Sequence, residues 1–363
     1  MPSEKMLMRG SHVVGEAAVR AGCRYYFGYP ITPQNELPEY LSARLPELGG
    51  SFIQGESEVA SINMVIGAAA AGGRAMTSSS SPGISLKQEG ISYLAGMELP
   101  AVIINMMRGG PGLGNIAPSQ ADYFQATKGG GHGDYRLLVL APAGCQELAE
   151  LTFEAFDLAD RYRNPVMLLG DGLMGQMMEP VIFPDPVDPA ELPKKDYILN
   201  GCAGREAHRL FSMMLDVNVL AAHNEKLRKK YESMAENELR WETYRVEDAD
   251  TVIVAYGTAS RIAKGAVNRL RKEGLKVGLF RPISLFPYPK QALRQLAEKV
   301  ERVCVFELSA GQMVEDAVLS VGGRAEIWFH GIPGGPIPTP ADIGDYIFSV
   351  LKGDGKIGRR VEV

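Results

Sequence analysis

The sequence predicts an α/β protein in which a doubly wound parallel sheet is followed by a smaller α/β unit. Three observations carry this. Short apolar runs alternate with helical patterns from Val13 to about Leu169, a proline-dense break follows from Pro180 to Pro193, and the alternation resumes at Thr251. The 363 residues suit two or three domains of ordinary size, and they divide into 1–185, a linker with a charged helical segment at 186–245, and 246–363.

In the first unit the predicted strands are Arg24–Phe27, Ser51–Gln54, Ala75–Ser78, Ala101–Met106, Leu137–Leu140 and Val166–Leu169. Predicted helices include Glu56–Ala71 and Gln146–Tyr162. The first of these carries Val59, Ile62, Val65, Ile66 and Ala68 to Ala71, apolar on nearly every face, which predicts burial on several sides. Pro180, Pro184, Pro186, Pro189 and Pro193 then exclude regular helix or a central strand. Met213–Tyr244 is charged and reads as an amphipathic helix with a solvated face. In the second unit the predicted strands are Thr251–Tyr256, Lys276–Phe280, Val303–Phe306 and Glu326–Phe329.

Apolar residues at 45% and charged residues at 22% are the composition of a folded protein. A net charge of −5 offers no general attraction to nucleic acid or anionic lipid. The N-terminus lacks the design of a signal peptide and no apolar run reaches the length of a membrane span, so the expected location is the cytoplasm. Cys23, Cys145, Cys202 and Cys304 lack the short spacings of zinc or iron–sulfur motifs, so the chain is expected to carry no cluster of its own.

The chemistry-bearing residues follow predicted strands. Phe27-Gly-Tyr-Pro-Ile-Thr-Pro33 sets Thr32 between two prolines that stiffen the loop, at the kind of strand end where open α/β sheets bind ligands. An ordinary βα connection is the alternative. Glu58 opens the apolar helix, where an acid suits the macrodipole, and a carboxylate in such surroundings also suits proton exchange with a ring nitrogen. Arg108 ends a strand and precedes a glycine-rich loop; its guanidinium suits a carboxylate, or a surface ion pair. Ser80 or Ser81 is expected to cap a helix with Pro82 at its first position. Ser119-Gln-Ala-Asp122 fits a capping box, and His132 sits in a glycine-rich turn. Gly170-Asp-Gly172 with Asn200 has the look of a metal and diphosphate motif, but the five prolines between its ends break the helix that such a motif needs.

Together, Tyr29-Pro-Ile-Thr-Pro33, Glu58, Ser79-Ser-Ser-Pro-Gly83, Arg108-Gly-Gly-Pro111 and Ser119-Gln-Ala-Asp122 resemble, in order, the alpha subunit of 2-oxoacid:ferredoxin oxidoreductases. Arg281-Pro-Ile-Ser-Leu-Phe-Pro-Tyr-Pro289 and Glu307-Leu-Ser-Ala-Gly-Gln312 look like that family's transketolase C-terminal-type domain. The resemblance implies that residues 1–185 form the pyrimidine-binding domain for thiamine diphosphate, with the diphosphate and Mg²⁺ held by a beta subunit. It implies that Glu58 hydrogen-bonds N1′ of the aminopyrimidine, that Tyr29, Pro30, Ser80 and Ser81 also border the cofactor, and that Thr32 and Arg108 hold the 2-oxoacid. Coenzyme A would receive the acyl group. Electrons would pass to iron–sulfur clusters on other chains, with a gamma subunit, a ferredoxin-like subunit and ferredoxin as partners. The motifs look most like the branched-chain type, acting on 3-methyl-2-oxobutanoate; the 2-oxoglutarate type is the nearest alternative, and a noncatalytic or nucleotide-binding scaffold the alternative of another class.

Overall fold

The structure is a computed structural model and describes residues 5–353 and 357–361. Its first sheet has seven strands, in the order Ser284–Phe286, Leu138–Leu140, Pro165–Asp171, Ala101–Met107, Ala75–Ser79, Tyr25–Gly28 and Ser51–Gln54. All neighbours are parallel except the first pair. Ala75–Ser79, Ala101–Met107 and Pro165–Asp171 are buried along their whole length, and the last two read as near-continuous apolar runs without alternation.

A second sheet has six strands, Arg359–Val361, Glu326–Gly331, Arg302–Glu307, Thr251–Val254, Val277–Pro282 and Trp241–Tyr244; the four inner ones are parallel and the two edges antiparallel. An antiparallel ribbon pairs Met6–Arg9 with Met178–Val181, and Pro180 is accommodated there, off the main sheets.

The two sheets interlock. Directly after Val277–Pro282 the chain crosses to the first sheet, where Ser284–Phe286 forms its edge. Arg281 grips both carboxylate oxygens of Glu147 at 2.8 and 2.9 Å. Gln120 donates its side-chain amide to the Tyr256 carbonyl at 2.9 Å, accepts from the Leu308 N–H at 2.9 Å, and its own N–H reaches the Leu308 carbonyl at 2.8 Å.

Three local expectations change. The charged segment is helical over Val217–Asn237, buries Leu227, Tyr231 and Met234, and ends in the edge strand Trp241–Tyr244 rather than continuing as helix. The apolar helix, Glu58–Ala70, is not buried on several sides: Val59 is 44% exposed, and Asn63 and Gly67 extend the exposed strip along one face. Ser119-Gln-Ala-Asp122 begins no α-helix. Ser119 and Gln120 face the second domain's backbone, and Asp122 turns toward Ser81 and Asn105.

Candidate active site

From Tyr25–Gly28 the chain crosses to Ser51–Gln54 on one side and returns to Ala75–Ser79 on the other, so these strands flank a topological switch point. Outside the C-terminal ends of such strands the flanking loops diverge and leave a crevice. The Tyr29–Pro33 loop, the start of the Glu58–Ala70 helix, the Ser80–Ser81 turn and Arg108 all follow strands on that edge. Tyr29, Pro30 and Thr32 are exposed on it, whereas Pro33 and Gln34 are buried.

Glu58 is 6% exposed and is not the helix cap; Ser57 is, accepting the Ala60 N–H at 3.2 Å. The Glu58 carboxylate is thereby released from the helix start, and among the described residues no group donates a hydrogen bond to it. It lies against Gly83, where a Cβ would come 2.6 Å from Glu58 Oε1 and 2.1 Å from Ser79 Oγ, so only glycine leaves the carboxylate its place. The Ser79 and Ser80 hydroxyls beside it are buried without partners. Ser80 holds the N-cap position of the helix Ser81–Gly96 but makes no capping bond, and Pro82 falls at the second helical residue rather than the first. Unpartnered buried hydroxyls are uncommon in finished protein interiors.

Arg108 is 9% exposed. Its Nη1 donates to the Thr32 carbonyl at 2.9 Å and its Nη2 to the Leu113 carbonyl at 3.0 Å, while the buried Nε has no partner. The guanidinium thus joins the two loops and keeps N–H groups to spare. Its own backbone N–H is received by Ser81 Oγ at 3.1 Å; Ser81 donates to Asp122 at 2.6 Å, and Asn105 donates to the same oxygen at 2.8 Å. Burial pushes the Asp122 carboxyl above the ordinary aspartate range, opposed by those two hydrogen bonds.

Beneath the loop lies a polar floor: the hydroxyls of the Thr77–Gly83 stretch supply part of it, while Tyr26 and Gln34 gave no local signal in the sequence. Tyr26 and Ser78 share a hydrogen bond at 2.6 Å, Ser78 and Gln34 Oε1 are 2.5 Å apart, and Thr77 donates to the Phe27 carbonyl at 2.6 Å. Beside Thr32 opens a cavity of about 510 Å³ walled by Ile116, Pro118 and Leu173, and by Ile337 from the second domain; Glu36 is its charged group, and no Lys or Arg among the described residues lines it. The remaining candidates serve elsewhere. Asp171 caps the short helix Gly172–Gln176 through the N–H groups of Leu173 and Met174, at 3.0 and 3.1 Å. Exposed Asn200 accepts from Arg205 at 2.8 Å, and His132 is exposed in its loop.

A two-sheet α/β chain with a crevice at the switch point, bordered by a buried acid, has the frame of an α/β enzyme that binds its ligand at the strand ends. Residues 16–241 match the family described as "Pyruvate flavodoxin/ferredoxin oxidoreductase, thiamine diP-bdg", and residues 249–343 match "Pyruvate:ferredoxin oxidoreductase core domain II". The chain belongs to this family and is a subunit of a 2-oxoacid:ferredoxin oxidoreductase. It is 52% identical over 320 residues to the ketoisovalerate oxidoreductase subunit VorB of Methanothermobacter marburgensis, covering 88% of this chain and 90% of that one. To the 2-oxoglutarate synthase subunit KorA of Archaeoglobus fulgidus it is 40% identical over 316 residues, covering 86% and 90%. Among solved structures it resembles the 2-oxoglutarate:ferredoxin oxidoreductase from Magnetococcus marinus with 2-oxoglutarate, coenzyme A and succinyl-CoA bound, with TM-score 0.82 and 26% identity, covering 96% of this chain and 65% of the other. A split-gene transketolase shares the fold alone, at TM-score 0.59 and 14% identity. No helix among the described residues is long and apolar enough to cross a membrane.

Proposed function

We propose that this chain is the alpha subunit of an enzyme that decarboxylates 3-methyl-2-oxobutanoate oxidatively, giving CO₂ and the acyl-CoA one carbon shorter, with two electrons passing singly to ferredoxin. The observation that carries the reading is the buried Glu58 carboxylate, without a hydrogen-bond donor, at the switch point that Thr32 and Arg108 also border. Thiamine diphosphate suits this place: Glu58 and the Ser79 and Ser80 hydroxyls await a polar partner, and Gly83 keeps the space clear. When bound, that cofactor supplies the electron sink for loss of CO₂ from a 2-oxoacid.

Glu58 holds the proton at N1′ of the aminopyrimidine, the position from which an acid of this kind exchanges it. Tyr29, Pro30, Ser80 and Ser81 border the ring, and Thr32 and Arg108 hold the oxoacid, whose carboxylate takes the free N–H groups of the guanidinium. The exposed strip of Val59, Asn63 and Gly67, with Ile53 at 44% exposure on the preceding strand, fits cover by a beta subunit that completes the site and carries the diphosphate and Mg²⁺. Asp171 and Asn200 are engaged otherwise. Iron–sulfur clusters belong to further subunits in this reading.

Two observations favour the branched-chain acid. The higher identity is to a ketoisovalerate enzyme, and the cavity beside Thr32 is walled by Ile116, Leu173 and Ile337, which suits an aliphatic group, while no Lys or Arg among the described residues lines it to receive a second carboxylate. The test is co-purification of the native complex and a panel of 3-methyl-2-oxobutanoate, 2-oxoglutarate and pyruvate in coenzyme A-dependent viologen reduction. The branched acid is expected to have the highest kcat/KM. Preference for 2-oxoglutarate would overturn the subtype, and no turnover of any oxoacid would overturn the activity.

A further inference from the structure

Lys87 lies on the helix Ser81–Gly96 and is 0% exposed. Lysine is almost never buried so completely without a counter-ion. Its ammonium instead donates to the Thr77 hydroxyl at 2.9 Å and the Ser78 carbonyl at 3.0 Å. Thr77 passes the connection to the Phe27 carbonyl at 2.6 Å, and the Ser78 hydroxyl passes it to Gln34 at 2.5 Å. Phe27 and Gln34 flank the Tyr29–Pro33 loop, so the two residues that bond the buried cation, Thr77 and Ser78, also hold the two ends of the loop.

The same lysine acts on Glu58. Gly83, which touches the Glu58 carboxylate, precedes Lys87 by one helical turn on the same face, and helical side chains lean toward the N-terminus. Burial lowers the Lys87 ammonium to about 7, and the negative charge of Glu58 works against that lowering. Glu58 is the charged group that faces it. The strand Ala75–Ser79 presents neutral Thr77 and Ser78, and the phenol of Tyr26, bonded to Ser78, is pushed up by burial and stays neutral.

We propose that Lys87 is a positioning residue of this site: its ammonium fixes the substrate loop from below and sets the electrostatic surroundings of Glu58, the acid that meets a ring nitrogen. The inference rests on the reading of Glu58 as the acid that faces the aminopyrimidine. Two buried groups coupled in this way titrate as a pair, and removing one moves the other.

The test uses the assembled complex with its partner subunits, reconstituted with this chain carrying ¹³Cε-lysine. The resonance absent from Lys87→Met or Lys87→Arg belongs to Lys87. It is expected to titrate near 7 and to move to lower pH in Glu58→Gln, where an anion has been removed. A midpoint in the ordinary lysine range, or one that ignores Glu58→Gln, overturns the proposal. In oxoacid turnover, Lys87→Met should change the shape of the kcat/KM profile against pH, and Lys87→Arg should restore it. An equal loss at every pH marks a merely structural lysine and also overturns the proposal. Full activity in Glu58→Gln would overturn the reading of Glu58 itself; an inactive Glu58→Gln with an unmoved Lys87 resonance would overturn only the inference about Lys87.

Discussion

Glu58 and Glu307 are buried carboxylates at corresponding edges of the two sheets, each beside the start of a helix, and their surroundings are opposite. Glu307 accepts the backbone N–H groups of Gln312, Met313 and Val314 at 3.2, 3.0 and 3.1 Å and the Ser309 hydroxyl at 2.8 Å. Glu58 receives no hydrogen bond from the described residues, and the neighbouring Ser79 and Ser80 hydroxyls are equally unpartnered. A carboxylate saturated by its own chain belongs to the fold. One left unsaturated in a buried place costs stability, which an arriving partner offsets. In the proposed reading the first sheet carries the chemistry, and the corresponding edge of the second holds the chain together.

The largest expected contrast comes from truncating both acids. Glu58→Ala in the co-expressed complex should abolish 2-oxoacid-dependent viologen reduction, a loss of at least about 10²–10⁴-fold, while the subunits still assemble on size exclusion. Glu307→Ala should leave three helix N–H groups buried and unpaired and lower stability by about 3–5 kcal/mol, read by thermal melting. Wild-type turnover in the first, or wild-type melting in the second, would remove the distinction. Next in size, Gln120→Ala breaks the side-chain bonds to Leu308 and Tyr256 and should cost about 2–3 kcal/mol, with the two sheets melting less cooperatively in calorimetry.

A further contrast is a pH dependence. The folded chain gives up the Lys87 proton near 7, whereas the unfolded chain keeps it to the ordinary value of 10.5. Between those limits the unfolded state binds more protons, so wild-type stability rises with pH. Lys87→Met lacks that rise, so its melting temperature relative to wild type should be highest below pH 7 and fall as pH rises above it. A constant difference across the range would contradict the assignment.

Much of this was legible in the sequence. Central parallel strands such as Ala101–Met107 announce themselves as continuous apolar runs, and the strand-end positions of Thr32, Glu58 and Arg108 followed from them. What was not legible depended on distant partners. The helix pattern of Glu58–Ala70 is apolar all round, but periodicity cannot distinguish a face that meets the core from one left open, as at Val59 and Gly67. Ser119-Gln-Ala-Asp122 has the spacing of a capping box, yet its partners are Leu308 and Tyr256, nearly two hundred and more than one hundred residues away. Lys87 lies between Leu86 and Gln88, and nothing local signals that its helix face turns inward onto Thr77 and Ser78.

The most direct test of the central claim is the exchange of the C2 proton of thiamine diphosphate for deuterium in the assembled complex, followed by quenched-flow NMR in the absence of oxoacid. With Glu58 at N1′, wild type should exchange at least about 10²-fold faster than Glu58→Gln at the same cofactor occupancy. Equal rates in the two proteins would contradict the account, because the unsaturated carboxylate would then have no part in the proton transfer assigned to it.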